Sequence, residues 1–188
     1  MTQENDHHRR SIRLKDYDYT QAGAYFVTLV TYARECMFGE IGADGVLMLN
    51  PLGEIAREEW GKSTGIRREI ALDEFIIMPN HVHGIVLMLG HDTVGAHGRA
   101  PLPNPFHRPP KSLGAFVAGF KSATTKRLNQ TRATPGAPVW QRNYYDHIVR
   151  DEGDLARLRT YIQDNSAQWA LDQFHPAAPP NRFDLDHP

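Results

Sequence analysis

Cysteine is nearly absent: Cys36 stands alone among 188 residues, so neither an internal disulfide nor a multi-cysteine metal site can be built. No apolar run approaches the roughly 20 residues that span a bilayer. The opening stretch, residues 1–19, is polar rather than a hydrophobic leader. No internal repeat is present, and net charge is almost missing as well, at −1. These gaps argue against a disulfide scaffold, a helical membrane protein and a secreted chain, so cytoplasm is the expected compartment. What is present, 40% hydrophobic and 23% charged residues, is the composition of a soluble globular domain. The length suffices for one buried core.

The small net charge hides a segregation. Residues 1–106 carry a net −4, residues 107–150 a net +7, and residues 151–188 a net −4. In the middle block eight basic residues, among them Lys121, Lys126, Arg127, Arg142 and Arg150, face Asp146 as the single acid. Arg9, Arg10, Arg13 and Lys15 form a second basic cluster near the start. Concentrated positive charge of this kind can neutralise phosphates, and it can equally be a set of solvated helix faces.

Elements follow from pattern. Residues 24–32 are rich in β-branched and aromatic side chains and read as a strand, and residues 38–49 as a hairpin turning at 42–45. Asn50-Pro51 supplies an N-cap and a first-turn proline for a helix running to about Lys62, with Gly65 beyond its end. Residues 68–77 and 81–89 are two further strands broken by Pro79-Asn80, and 112–128 is a helix. Residues 139–149 are a strand or extended segment, and a last helix is expected from Asp151 to about Leu171. The proline- and glycine-rich stretch 90–110 reads as a flexible loop. We therefore expect a basic arm over 1–23, one domain over 24–172, and a loose tail over 173–188. The order implies an α+β fold, an antiparallel sheet with helices on one side.

The sharpest local feature is Met78-Pro-Asn-His-Val-His-Gly. On a strand, His81 and His83 share a face while Val82 turns away, so two imidazoles can meet one metal ion. The blander reading is two half-exposed histidines on an edge strand. In the last helix Tyr161 stacks over Asn165 at i, i+4. Such a tyrosine can act as a nucleophile, with the Asn165 amide oxygen as a third metal ligand; it can also simply cover a core edge. The run from Trp140 to Arg150, which includes Arg142 and His147, mixes aromatics with cations in a way suited to stacking bases and holding phosphates.

Taken in order, several segments together resemble the single-tyrosine HUH transposases, most closely the REP-associated tyrosine transposases of bacteria. They are Arg10-Ser-Ile-Arg-Leu, Gly23-Ala-Tyr-Phe-Val-Thr, Cys36-Met-Phe-Gly-Glu, Met78-Pro-Asn-His-Val-His-Gly-Ile, Gly119-Phe-Lys-Ser-Ala-Thr-Thr-Lys, Trp140-Gln-Arg-Asn-Tyr-Tyr-Asp-His-Ile-Val-Arg and Tyr161-Ile-Gln-Asp-Asn. The likeness spans roughly residues 9–172; Ser166, where many relatives have proline, and the 90–110 loop depart from it. The resemblance implies a ferredoxin-like, RRM-like sheet with the tyrosine helix packed across it. It implies Mg²⁺ or Mn²⁺ held by His81, His83 and Asn165, and Tyr161 as the nucleophile that forms a 5′-phosphotyrosine link. The implied partner is single-stranded DNA with a palindromic-repeat hairpin, bound by a monomer or homodimer. Candidate DNA contacts are Arg9, Arg10, Arg13, Lys15, Lys121, Lys126, Arg127, Arg142, His147 and Arg150. Two competing readings are a domesticated hairpin-binding protein that does not cut, and a metal-dependent phosphohydrolase using water.

Overall fold

A computed structural model of the chain describes residues 17–90 and 111–179. The expectations placed on Arg9, Arg10, Arg13 and Lys15, on nearly all of the 90–110 loop, and on the last nine residues lie outside the described residues.

Strand β1 (Gly23–Val30) is followed by a short hairpin of β2 (Gly39–Ile41) and β3 (Leu47–Leu49), then helix α1 (Pro51–Ile66). Strands β4 (Ile70–Ile77) and β5 (His81–Met88), helix α2 (Leu113–Arg132), strand β6 (Tyr145–Ile148) and helix α3 (Glu152–Asp164) complete the order. The main sheet runs β4-β5-β1-β6 with all neighbours antiparallel. With α1 between β1 and β4 and α2 between β5 and β6, this is the ferredoxin-like split β-α-β arrangement. β5 and β1 are interior strands. The histidine pair therefore lies mid-sheet, which removes the edge-strand reading.

Local chemistry sets the helix starts. Asn50 Oδ1 accepts from the Leu52 and Gly53 amides, with Pro51 in the first turn. Ser112 accepts from Ala115 N, and Asp151 from Asp154 N. The ends differ from expectation. α1 continues through Gly65 to Ile66, because the Arg67 amide still closes onto Ser63 O. α3 stops at Asp164, and the chain leaves through turns and a single 3₁₀ turn at Trp169–Leu171.

The two sheet faces have different jobs. Tyr25, Val27, Leu29, Val82 and Val86 join Trp60, Phe116, Val117 and Phe120 of α1 and α2 in the main core. The alternate residues Phe26, Thr28, His81 and His83 point the other way, toward α3 and the segment after it. Helices thus cover both faces, correcting the expectation of helices on one side. The segment beyond α3 is no loose tail as far as Phe174, which is 2% exposed and whose carbonyl accepts from Asn80 Nδ2 at 2.7 Å.

Candidate functional site

Asn80, in the short link between β4 and β5, organises the pair of histidines. Its Nδ2 donates to the carbonyls of Arg34 and Phe174 at 3.0 and 2.7 Å, so Oδ1 is left as the acceptor for His81 Nδ1 at 2.9 Å. That proton assignment puts the His81 lone pair on Nε2, which is buried and has no hydrogen-bond partner. His83 Nδ1 meets the Thr28 hydroxyl at 2.8 Å across the β1–β5 register. When that hydroxyl accepts, the lone pair of His83 also sits on Nε2, 3.3 Å from the Tyr161 hydroxyl. Orienting partners at Nδ1 with Nε2 turned inward is the arrangement metal-binding histidines need.

Burial keeps both imidazoles neutral. It pushes His83 down to about 3 and His81 well below its ordinary value, with repulsion from His83 adding to the latter and the neighbouring Asn165 side chain opposing it. Tyr161, on the last turns of α3, is 40% exposed, and its ring packs at 5.2 Å from His83 and 5.9 Å from Phe26. Its phenol is pushed above the usual range by burial and by the Asp172 carboxylate, against an opposing hydrogen bond with Asn165. It is therefore a protonated hydroxyl at neutral pH.

Asn165 caps α3, is buried, and leaves Oδ1 without a hydrogen-bond partner. Asp172 is the residue that spacing did not reveal. Its Oδ2 lies 3.8 Å from His81 Nε2, and donor atoms of His81, His83 and Asp172 all fall within 4.8 Å of one another. Burial raises this carboxyl from its ordinary value. Two buried nitrogen or oxygen atoms without partners, beside a buried carboxylate, are an expensive arrangement in a protein interior. A divalent cation would satisfy all of them, so these residues fit a metal. The sequence brought His81, His83, Tyr161 and Asn165 to attention through short spacing. Asn80 was visible only as the residue preceding the pair, and Thr28 and Asp172 only through tertiary structure.

The basic candidates lie elsewhere. Lys121 Nζ donates to the carbonyls of Gln141 and Asn143, both at 2.8 Å, and Arg127 pairs with Glu58 and Glu59 of α1. Lys126, Arg142 and Arg150 are exposed. His147 Nε2 meets Asp154 Oδ2 at 2.8 Å, joining β6 to the start of α3. A groove of about 800 Å³ is lined by Lys121, Lys126, Asn129, Gln130, Trp140 and Gln141.

An uncharacterized protein of Haemophilus influenzae is 36% identical to the chain over 176 residues, covering 90% of this chain and 94% of that protein. The chain belongs to one family with it. No family model matches the chain. Among solved structures, a REP-associated tyrosine transposase bound to a REP hairpin superposes with a TM-score of 0.55 at 15% identity, over 83% of this chain and 73% of that one. The fold is that of this transposase, and it is the fold that the motif resemblance implies. Among the described residues no helix is long and apolar enough to cross a membrane.

Proposed function

We propose that the protein is a transposase-type enzyme that cuts and rejoins single-stranded DNA at palindromic-repeat hairpins, with Tyr161 as nucleophile. The observation that carries this reading is the meeting of the Tyr161 hydroxyl with His83 Nε2 at 3.3 Å, beside the unpartnered Nε2 of His81. The shared fold with a hairpin-bound REP-associated transposase supports the substrate class.

The chemistry assigns each side chain a task. Tyr161 Oη attacks the scissile phosphorus and gives up its proton to solvent, the bond to the 3′ oxygen breaks, and that oxygen takes a proton from solvent and leaves as a 3′-hydroxyl, so no proton is gained or lost overall. The phosphodiester energy is kept in the 5′-phosphotyrosine bond, so the reverse attack by a 3′-hydroxyl rejoins strands without ATP. In the metal-free protein His83 Nε2 accepts the hydroxyl's hydrogen bond and fixes the ring direction; that lone pair is the one a metal would take instead, and burial keeps the imidazole from holding the proton at neutral pH. The nucleophile therefore stays protonated until substrate arrives. His81 and His83, with Asn165 or Asp172, would hold Mg²⁺ or Mn²⁺, which supplies positive charge to polarise the scissile phosphate. Tyr161 reaches His83 within its own chain, so a monomer would be complete by itself. Exposed Lys126, Arg142 and Arg150 are assigned to the DNA backbone.

Incubating the protein and Mn²⁺ with a labelled single-stranded repeat hairpin tests the reading on a denaturing gel. A covalent protein–DNA band is expected for the wild type, lost in Tyr161→Phe while hairpin binding persists. An adduct that survives Tyr161→Phe sinks the assignment. Binding without an adduct under any divalent ion selects the non-cutting reading instead, and turnover to free phosphate ends selects the phosphohydrolase.

A further inference from the structure

We propose that Asp172 is a carboxylate ligand of the ion held by His81 and His83, so that the metal site is closed by the chain beyond the tyrosine helix. This rests on the metal-site reading above and adds a residue to it. The carboxylate is fixed at one end: Asp172 Oδ1 accepts from the Phe174 amide at 2.6 Å. That bond aims Oδ2 at His81 Nε2 across 3.8 Å. The gap is too long for a hydrogen bond. It lies within the range of about 3.0–4.2 Å that can separate two ligands of a common cation, each bonded at about 2.1 Å.

The segment that delivers the carboxylate is anchored independently of any ion. Phe174 is buried, its ring lies 5.0 Å from His81 and 5.6 Å from Tyr145, and its carbonyl is held by the same Asn80 amide group that leaves Oδ1 for His81. One asparagine therefore sets both the imidazole's tautomer and the position of the strap carrying Asp172. The Asp172 side chain is 4% exposed, so water cannot solvate its charge. The groups facing it are the two neutral histidines, the Asn165 amide, the Tyr161 phenol, the His175 ring and the Arg34 guanidinium. A site of two imidazoles and one carboxylate carries one negative charge. Its oxygen donor favours Mn²⁺ and Mg²⁺ more than an all-nitrogen site would.

The full chain, stripped with chelator, is titrated with Mn²⁺ by calorimetry and with Co²⁺ by visible absorption. Wild type is expected to bind one ion, and His81→Ala to bind none. Asp172→Asn keeps an oxygen for the Phe174 amide, so its metal-free melting should match wild type. Its Mn²⁺ affinity should fall at least about tenfold, and its Co²⁺ bands should change shape as a ligand is exchanged for water. Asn165→Ala should leave the Co²⁺ band shape closer to wild type than Asp172→Asn does. Wild-type Mn²⁺ affinity and an unchanged Co²⁺ spectrum in Asp172→Asn overturn the proposal while the histidine site stands. So does weaker Mn²⁺ binding with the spectrum unchanged, which marks a merely structural role. No binding by wild type removes the metal site and the proposal together.

Discussion

Gly84 follows the second histidine for a steric reason. A Cβ there would sit 2.3 Å from Cζ2 of Trp60, a side chain buried between β5 and the packed faces of Phe116 and Phe120. Trp60 has no room to retreat, so Gly84→Ala should cost about 1–3 kcal/mol, read as a lower urea midpoint at unchanged m-value. An unchanged midpoint would show that α1 yields. The histidines beside this glycine predict a pH response. In the unfolded chain they titrate near 6.5, while in the fold His83 is held to about 3 and His81 well below 6.5 by burial. The unfolded state thus binds more protons below pH 6.5. Stability of the metal-free protein should fall as pH drops, by up to about 1.4 kcal/mol per pH unit per histidine. Above about pH 7 the pair contributes no slope. Asp172, with its carboxyl raised, works in the opposite direction at the acid end, so denaturation between pH 5 and 7 is the informative range. His83→Gln should remove one histidine's share of the slope; retention of the full slope would show that other groups cause it. At this scale the sequence exposed the members related by short spacing, His81 with His83 and Tyr161 with Asn165. Thr28 and Asp172 reach the same site from 55 and 91 residues away from His83 and His81, a separation no local pattern encodes.

α3 is held by its flanks more than by its apolar stripe. Ile162 is buried, whereas Leu155, Leu158 and Trp169 are only partly covered. The pins are polar. A bulge between Leu72 and Phe75 places two β4 residues opposite Ile85 alone and turns Asp73 toward α3, where Arg159 Nε donates to it at 2.9 Å. The Arg159 hydrogen bond holds the Asp73 carboxyl below its ordinary value. At the other end Asp154 receives His147, the Arg150 amide and Arg157. These contacts set where the Tyr161 hydroxyl stands. Asp73→Ala should accelerate amide exchange in α3 and slow adduct formation by on the order of tenfold, with hairpin affinity unchanged. Equal losses of binding and rate would place Asp73 in DNA contact instead. The starts of all three helices were legible to within a residue, and in the fold Asn50, Ser112 and Asp151 cap them through amides two or three residues on. The early end of α3 was not. Helical pattern continues past Asp164, but the chain must turn there for Phe174 to pack on His81, and that long-range contact overrides local preference.

Over the whole molecule, the charge blocks were legible and the use made of each charge was not. The +7 segment looks like a single DNA-facing surface in one dimension. In three, part of it is already neutralised: Arg127 bridges α2 to Glu58 and Glu59 of α1, and Lys121 fastens the 141–143 segment through two carbonyls. Arg142 and Arg150 have exposed side chains near β6, the edge strand that carries His147. The two groups should separate in a salt titration of hairpin binding. Each DNA phosphate left without its neutralising cation should flatten the plot of log affinity against log salt by about 0.7–0.9. Arg142→Ala with Arg150→Ala should therefore reduce the slope by about 1.4–1.8 in the additive case and weaken binding most at low salt, with melting unaffected. Arg127→Ala should leave the slope alone and lower the melting temperature, because what it removes is the bridge between α1 and α2. If Arg127→Ala flattens the slope as the exposed pair does, the Glu58–Glu59 bridge opens on binding and the DNA path extends across α2.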